Sequence, residues 1–311
     1  MRLSLLCIFL FLLFGCQQPK KDSPKPVQVS YGHIERLPDF QSKYIKERNV
    51  DILLPPNYDE NRTYPVLYMQ DGQMLFDSTH TWNKQEWGVD ETLSRLTKNN
   101  IIPETIVVGI WNGDKYRHSE YFPQVPFEML PTKVQDSLIT GAKRSNDQAL
   151  FASPIQSDKY LKFLVEELKP YIDKKFSTKT RSDFTSIAGS SMGGLISMYA
   201  ICEYPQIFGQ AACISTHWIG TMNSDNNIIP SLFVQYLKTH LPDPSTHKIY
   251  FDYGTETLDA LYEPFQLKVD SVMIKKGFTS DDWMTKKFEG HDHSERSWNN
   301  RLHIPFTFVL K

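Results

Sequence analysis

Gly189-Ser190-Ser191-Met192-Gly193 constrains the fold of this chain more than any other stretch. An apolar run, Phe184-Thr185-Ser186-Ile187-Ala188, leads into it. Beyond it, Leu195, Met198, Tyr199 and Cys202 recur at i, i+3, i+4 and i+7, one apolar helical face. Pro205 marks the helix end, and a second apolar strand follows at Gln210–Ser215. The order is strand, tight turn, helix, strand. A serine on such a turn takes a positive φ, and only residues without bulk fit two positions before and after it. Gly189 and Gly193 hold those positions, and Gly194 lets the helix pack close to a sheet. In this setting G-x-S-x-G lifts the Ser191 hydroxyl into a catalytic site. The plain alternative is a small-residue turn in a parallel sheet.

The rest of the chain agrees with an α/β architecture. Val27–Arg36, Arg48–Leu54, Tyr64–Met69 and Thr105–Trp111 read as strands, and Trp87–Leu96 as a helix. Asp158–Phe176 reads as the helix before the serine strand. His247–Tyr253 and Trp283–Phe288 are later strands, with Leu261–Gly277 and Ser294–Leu302 as helices. Apolar runs alternating with helices predict a mostly parallel central sheet with helices on both faces. Asn112–Pro154 is polar, holds four prolines and shows no clear period, so it reads as a long cap or substrate wall. No composition shift marks a second domain in the 311 residues.

The N-terminus reads as a targeting segment. Arg2 precedes the apolar run Leu3–Phe14, which is too short for a comfortable membrane span. Leu13-Phe14-Gly15-Cys16 resembles a bacterial lipobox. That resemblance implies removal of residues 1–15, lipidation of Cys16, and a tether over residues 16–27 ahead of a domain at 28–311. The expected location is the bacterial cell envelope, on the periplasmic face or the surface, held to the membrane by the lipid. The alternatives are an ordinary signal peptide and a buried N-terminal helix. Cys202 and Cys213 then remain, and both read as buried free thiols, with a disulfide in an oxidising compartment as the alternative. A net charge of −2 excludes a broad electrostatic footprint for nucleic acid.

A serine hydroxyl needs a base. His217, His240, His247, His291, His293 and His303 follow the turn. A base belongs on a loop at the carboxyl edge of the sheet. Glu289-Gly290-His291-Asp292-His293-Ser294-Glu295, between the last strand and the last long helix, is that loop. His291 and His293 one residue apart could also bend towards a metal, but no further ligand cluster accompanies them. No metal or organic cofactor is expected. For a carboxylate to orient the imidazole, the loop after His247–Tyr253 offers Glu256 and Asp259, and the spacing leaves both open. The oxyanion needs two backbone donors. Met192 N–H at the helix start is one, and the loop Gln70-Asp71-Gly72-Gln73 offers the other.

Together these stretches resemble the esterase D-type α/β-hydrolases, among them feruloyl and acetyl-xylan esterases, S-formylglutathione hydrolase, enterobactin esterases and mycolyltransferases. The resemblance runs from about Asn49 to Leu310. It rests on Val66 through Gln73, Val108-Gly109-Ile110-Trp111-Asn112, Arg117 with Glu120-Tyr121, Gly189–Gly194, and Gly290 through Trp298. It implies that the base is His293, in G-x-x-H-S, and that the acid is Asp259, with Glu256 as runner-up. It also implies a second oxyanion donor near Gly72-Gln73. The expected activity is serine ester hydrolysis, on feruloyl or acetyl esters of polysaccharides. An enterobactin-type trilactone is the second substrate class, with Lys133, Lys143 and Arg144 as candidate cations. A non-catalytic binding lipoprotein on the same fold is the reading of another class.

Overall fold

The computed structural model describes residues 27–145 and 148–311. The proposed leader, Cys16 and the tether up to residue 26 lie outside the described residues.

Eight strands form the central sheet: β1 (His33–Phe40), β2 (Arg48–Leu54), β3 (Val66–Gln70), β4 (Ile106–Ile110), β7 (Thr185–Ser190), β8 (Gln210–Ile214), β9 (Lys248–Gly254) and β10 (Trp283–Phe288). A small hairpin, β5 (Lys143–Ser145) with β6 (Gln148–Ala149), stands apart from it. The sheet order is β1-β2-β4-β3-β7-β8-β9-β10. β1 and β2 join antiparallel, and every pair from β4 to β10 is parallel. Strand alternation splits the core into two layers. Val66 and Tyr68 enter one, Leu67 and Met69 the other. The helices Met192–Glu203, Ile229–His240 and Glu263–Lys276 cover the first layer. Val89–Lys98 and His303–Val309 cover the second. Strands buried on both faces are why the sequence shows continuous apolar runs there.

Three elements depart from the sequence expectations. β1 starts at His33 because Ser30 is drawn off to Asp90, whose Oδ2 accepts from the Ser30 N–H at 2.6 Å. The segment after β4 is not a structureless loop. It carries short helices at Arg117–Tyr121, Gln124–Glu128 and Thr132–Gly141. Pro123 and Pro131 cap the second and third, and the two five-residue runs are too short to show a 3.6 period. The helix Met192–Glu203 is buried on all sides rather than on one face, from Met192 to Cys202. It lies between the sheet and its neighbouring helices, so no polar face is needed. Cys202 and Cys213 are buried and unpaired, and burial pushes both thiols up.

Candidate active site

The parallel strands deliver their next residues to one edge. Asp71 follows β3, Ser191 follows β7, Ser215 and His217 follow β8, Asp259 follows β9 and His293 follows β10. This is the edge where open parallel sheets hold their ligands. A cavity of about 520 Å³ opens there, lined by Gln73, Ser191, Met192, His217 and His293.

Ser191 has φ 57 and ψ −123, a strained conformation for a residue with a side chain. Its N–H donates to the Ile214 carbonyl at 2.9 Å, and its carbonyl accepts from His217 N–H at 3.2 Å. These bonds hold the turn against β8. A Cβ on Gly189 would stand 2.6 Å from the backbone of Gly193, so the turn closes only without one. Met192 opens the helix directly after the serine and lines the cavity.

His293 donates from Nδ1 to Asp259 Oδ1 at 2.5 Å. Asp259 is fully buried, and its Oδ2 accepts from Ser215 Oγ at 2.5 Å and from Gly254 N–H at 2.6 Å. Burial pushes the Asp259 carboxyl up, but His293, Ser215 and Gly254 together outweigh it and hold the group below its ordinary value. An ionised carboxylate only accepts, so the Nδ1 proton stays on the ring and Nε2 keeps a lone pair. The Trp298 ring stands edge-on to His293 at 5.1 Å and donates from Nε1 to Ser215 Oγ at 3.0 Å. Arg301 also donates to Ser215 Oγ, at 2.6 Å, while pairing with buried Asp252 at 3.0 Å. The carboxylate therefore rests on a buried polar network in which Ser215 Oγ donates to Asp259 and accepts from Trp298 and Arg301.

Glu256 and His291 stand apart from this pair. The Glu256 side chain is exposed, and its N–H, like that of Thr255, donates to the His291 carbonyl at 3.0 Å. His291 thus braces the turn through its backbone, with its ring beside Phe288. Among the described residues no group of three or more His, Cys, Asp or Glu side chains is arranged to hold a metal.

Gln73 lines the cavity, whereas Gly72 is buried behind it. A Cβ on Gly72 would meet the Gly109 carbonyl carbon at 2.4 Å, so the glycine serves close packing on β4. Gly72→Ala is expected to cost about 1–3 kcal/mol of stability, as overpacking does. A urea midpoint equal to that of the parent protein would contradict this.

Two cavity residues, His118 and Trp82, carry no clear sequence signal. His118 donates from Nε2 to the Gly220 carbonyl at 2.9 Å, and burial pulls it down to about 3. His217 is likewise held neutral by burial, with Nδ1 2.8 Å from the Tyr262 hydroxyl. Trp82 is 84% exposed at the rim. Of the three cations Lys133, Lys143 and Arg144, Arg144 is the one that lines the cavity. These residues come from segments far apart in sequence, and only folding brings them to one edge.

Comparison with known proteins places the chain. The family described as Putative esterase matches residues 42–306. The chain belongs to that family. It is 24% identical over 257 residues to the uncharacterized protein YbbA of Bacillus subtilis, covering 80% of this chain and 87% of that one. The ferulic acid esterase AmCE1/Fae1A of Anaeromyces mucronatus, solved with ferulic acid, superposes with a TM-score of 0.59 at 18% identity. That match covers 94% of this chain and 97% of the other. The enterobactin esterase FES of Shigella flexneri superposes with a TM-score of 0.58 at 16% identity, covering 91% of this chain and 60% of that one. This esterase thus has the α/β-hydrolase fold, with its cavity at the carboxyl edge of the sheet.

Proposed function

We propose that this esterase hydrolyses carboxylic esters through Ser191, His293 and Asp259. The observation that carries the reading is His293, held by buried Asp259 and opening onto the same cavity as the strained Ser191 turn. In this scheme Ser191 Oγ attacks the ester carbonyl while His293 Nε2 takes its proton. Asp259 stays ionised and stabilises the imidazolium. Met192 N–H and a donor at Gly72-Gln73 stabilise the oxyanion. The imidazolium then protonates the leaving alcohol, which departs to leave an acyl-enzyme. Water, deprotonated by His293, attacks the acyl carbon and releases the acid and free Ser191.

The proposed substrates are feruloyl or acetyl esters of polysaccharides. Trp82, Trp87 and Trp298 give the cavity aromatic walls suited to a planar acyl group or a sugar ring. Arg144 in the same wall favours the second reading, an anionic trilactone. Turnover of methyl ferulate, acetylated xylan and a siderophore trilactone by the purified protein separates the two. Hydrolysis of either polysaccharide-type ester is expected. Turnover of the trilactone alone would replace the first reading with the second.

A further inference from the structure

The loop assigned to the oxyanion is gripped from the cap segment. Asp71, just before the turn Gly72–Met74, has φ 57 and is 5% exposed. Arg117 donates to its carboxylate twice, from Nε to Oδ1 at 2.6 Å and from Nη2 to Oδ2 at 2.7 Å. Asn112 donates from Nδ2 to Oδ1 at 2.7 Å. The Asn112 N–H donates to Gln73 Oε1 at 3.2 Å, so the cap holds the loop on both sides of Gly72. Asp71 Oδ2 also faces the serine turn: a Cβ on Gly193 would lie 3.2 Å from it.

Arg117 itself has little freedom. It opens the helix Arg117–Tyr121, and each of the next three residues is tied to a different element. His118 bonds the Gly220 carbonyl at 2.9 Å, and Ser119 Oγ donates to the Ser153 carbonyl at 2.9 Å. Glu120 accepts from Arg48 of β2 at 2.8 and 2.9 Å, in a pair almost wholly buried. The forked Arg117–Asp71 contact therefore joins a braced helix to a strained turn. A two-pronged bond fixes direction as well as distance, which a single-point ammonium does not.

We propose that Arg117 is a positioning residue for ester hydrolysis: through Asp71 it sets the Gly72-Gln73 backbone against the Ser191 turn. This inference rests on the Ser191 reading above. Misplacing a stabilising group by about 1 Å costs on the order of 10²-fold in rate. Arg117→Ala is therefore expected to lower kcat on an aryl acetate by about 10²-fold while KM stays within about threefold, because the interaction lost is one made in the transition state. Arg117→Lys should recover little of the rate. Arg117→Ala combined with Asp71→Asn should be no more than about twofold slower than Arg117→Ala alone, since the two residues act as one unit. Should Arg117→Ala fail to fold, Arg117→Lys carries the same comparison, with its fold checked by circular dichroism. A higher KM at unchanged kcat would make Arg117 a direct substrate contact and overturn the proposal, as would parent-like kcat in either variant. Parent-like turnover in Arg117→Ala, with Ser191→Ala inactive, would remove this inference alone. An active Ser191→Ala would remove the reading beneath it.

Discussion

Ser191→Ala is expected to slow hydrolysis of an aryl acetate by about 10⁶-fold, the loss seen when the nucleophile of a cooperating triad is removed. The cause is specific. Ser191 is the residue that the strained turn, at φ 57 and ψ −123, presents to the cavity. Alanine keeps that backbone and the cavity wall but removes the oxygen proposed to attack. KM on the residual activity should change little, because the hydroxyl contributes mainly to the chemical step. The measurement is kcat with the fold checked by circular dichroism. A fluorophosphonate probe adds a second readout: it should label the parent protein at Ser191 and leave the variant unlabelled. Parent-like turnover by the alanine variant would end the serine mechanism. An unlabelled but folded parent protein would favour a binding role on the same fold.

Asp259→Asn is expected to lower kcat by about 10⁴-fold, with KM little changed. Asparagine is nearly the same size but presents no charge to the imidazolium. It can also donate to Nδ1, which would move the ring proton to Nε2 and remove the lone pair that takes the serine proton. Glu256→Gln, on the exposed neighbour, should leave kcat within about twofold, as surface changes away from the chemistry do. Equal losses in the two variants would refute the assignment of the acid. The same carboxylate shapes acid stability. Its folded value lies below the ordinary value of 3.8, so its contribution is complete above that value and is lost as pH falls through the folded one. Asp259→Asn should therefore flatten the stability profile in that acidic window, which urea midpoints measured against pH will show.

The two residues differ in how legible they are. Ser191 is visible because its turn needs a local spelling. Gly189 cannot carry a Cβ within 2.6 Å of the Gly193 backbone, and the flanking strand and helix have their own periods. β2 and β10 are equally local and fall where the apolar runs predict, at Arg48–Leu54 and Trp283–Phe288. The segment after β4 is not legible, because its helices, two of five residues and one of ten, are separated by Pro123 and Pro131 and draw their stability from what they touch. In the sequence, Arg117 stands out only through the family resemblance. Its bond to Asp71 spans 46 residues, and no spacing rule encodes it.

Sequence alone determined the strand–turn–helix around Ser191, the alternation that makes a parallel sheet, and the loop that holds His291 and His293. Each is a short-range property, set by side-chain period or by the absence of a Cβ. Tertiary structure alone decided which carboxylate meets the imidazole. Glu256 and Asp259 lie three residues apart on one loop, yet Asp259 is buried against Gly254, Ser215 and His293 while Glu256 faces solvent. It also decided that Arg117 reaches back to Asp71. A desolvated carboxylate stays ionised only where several donors converge on it, and these donors arrive from strands and loops that the chain brings together only by folding.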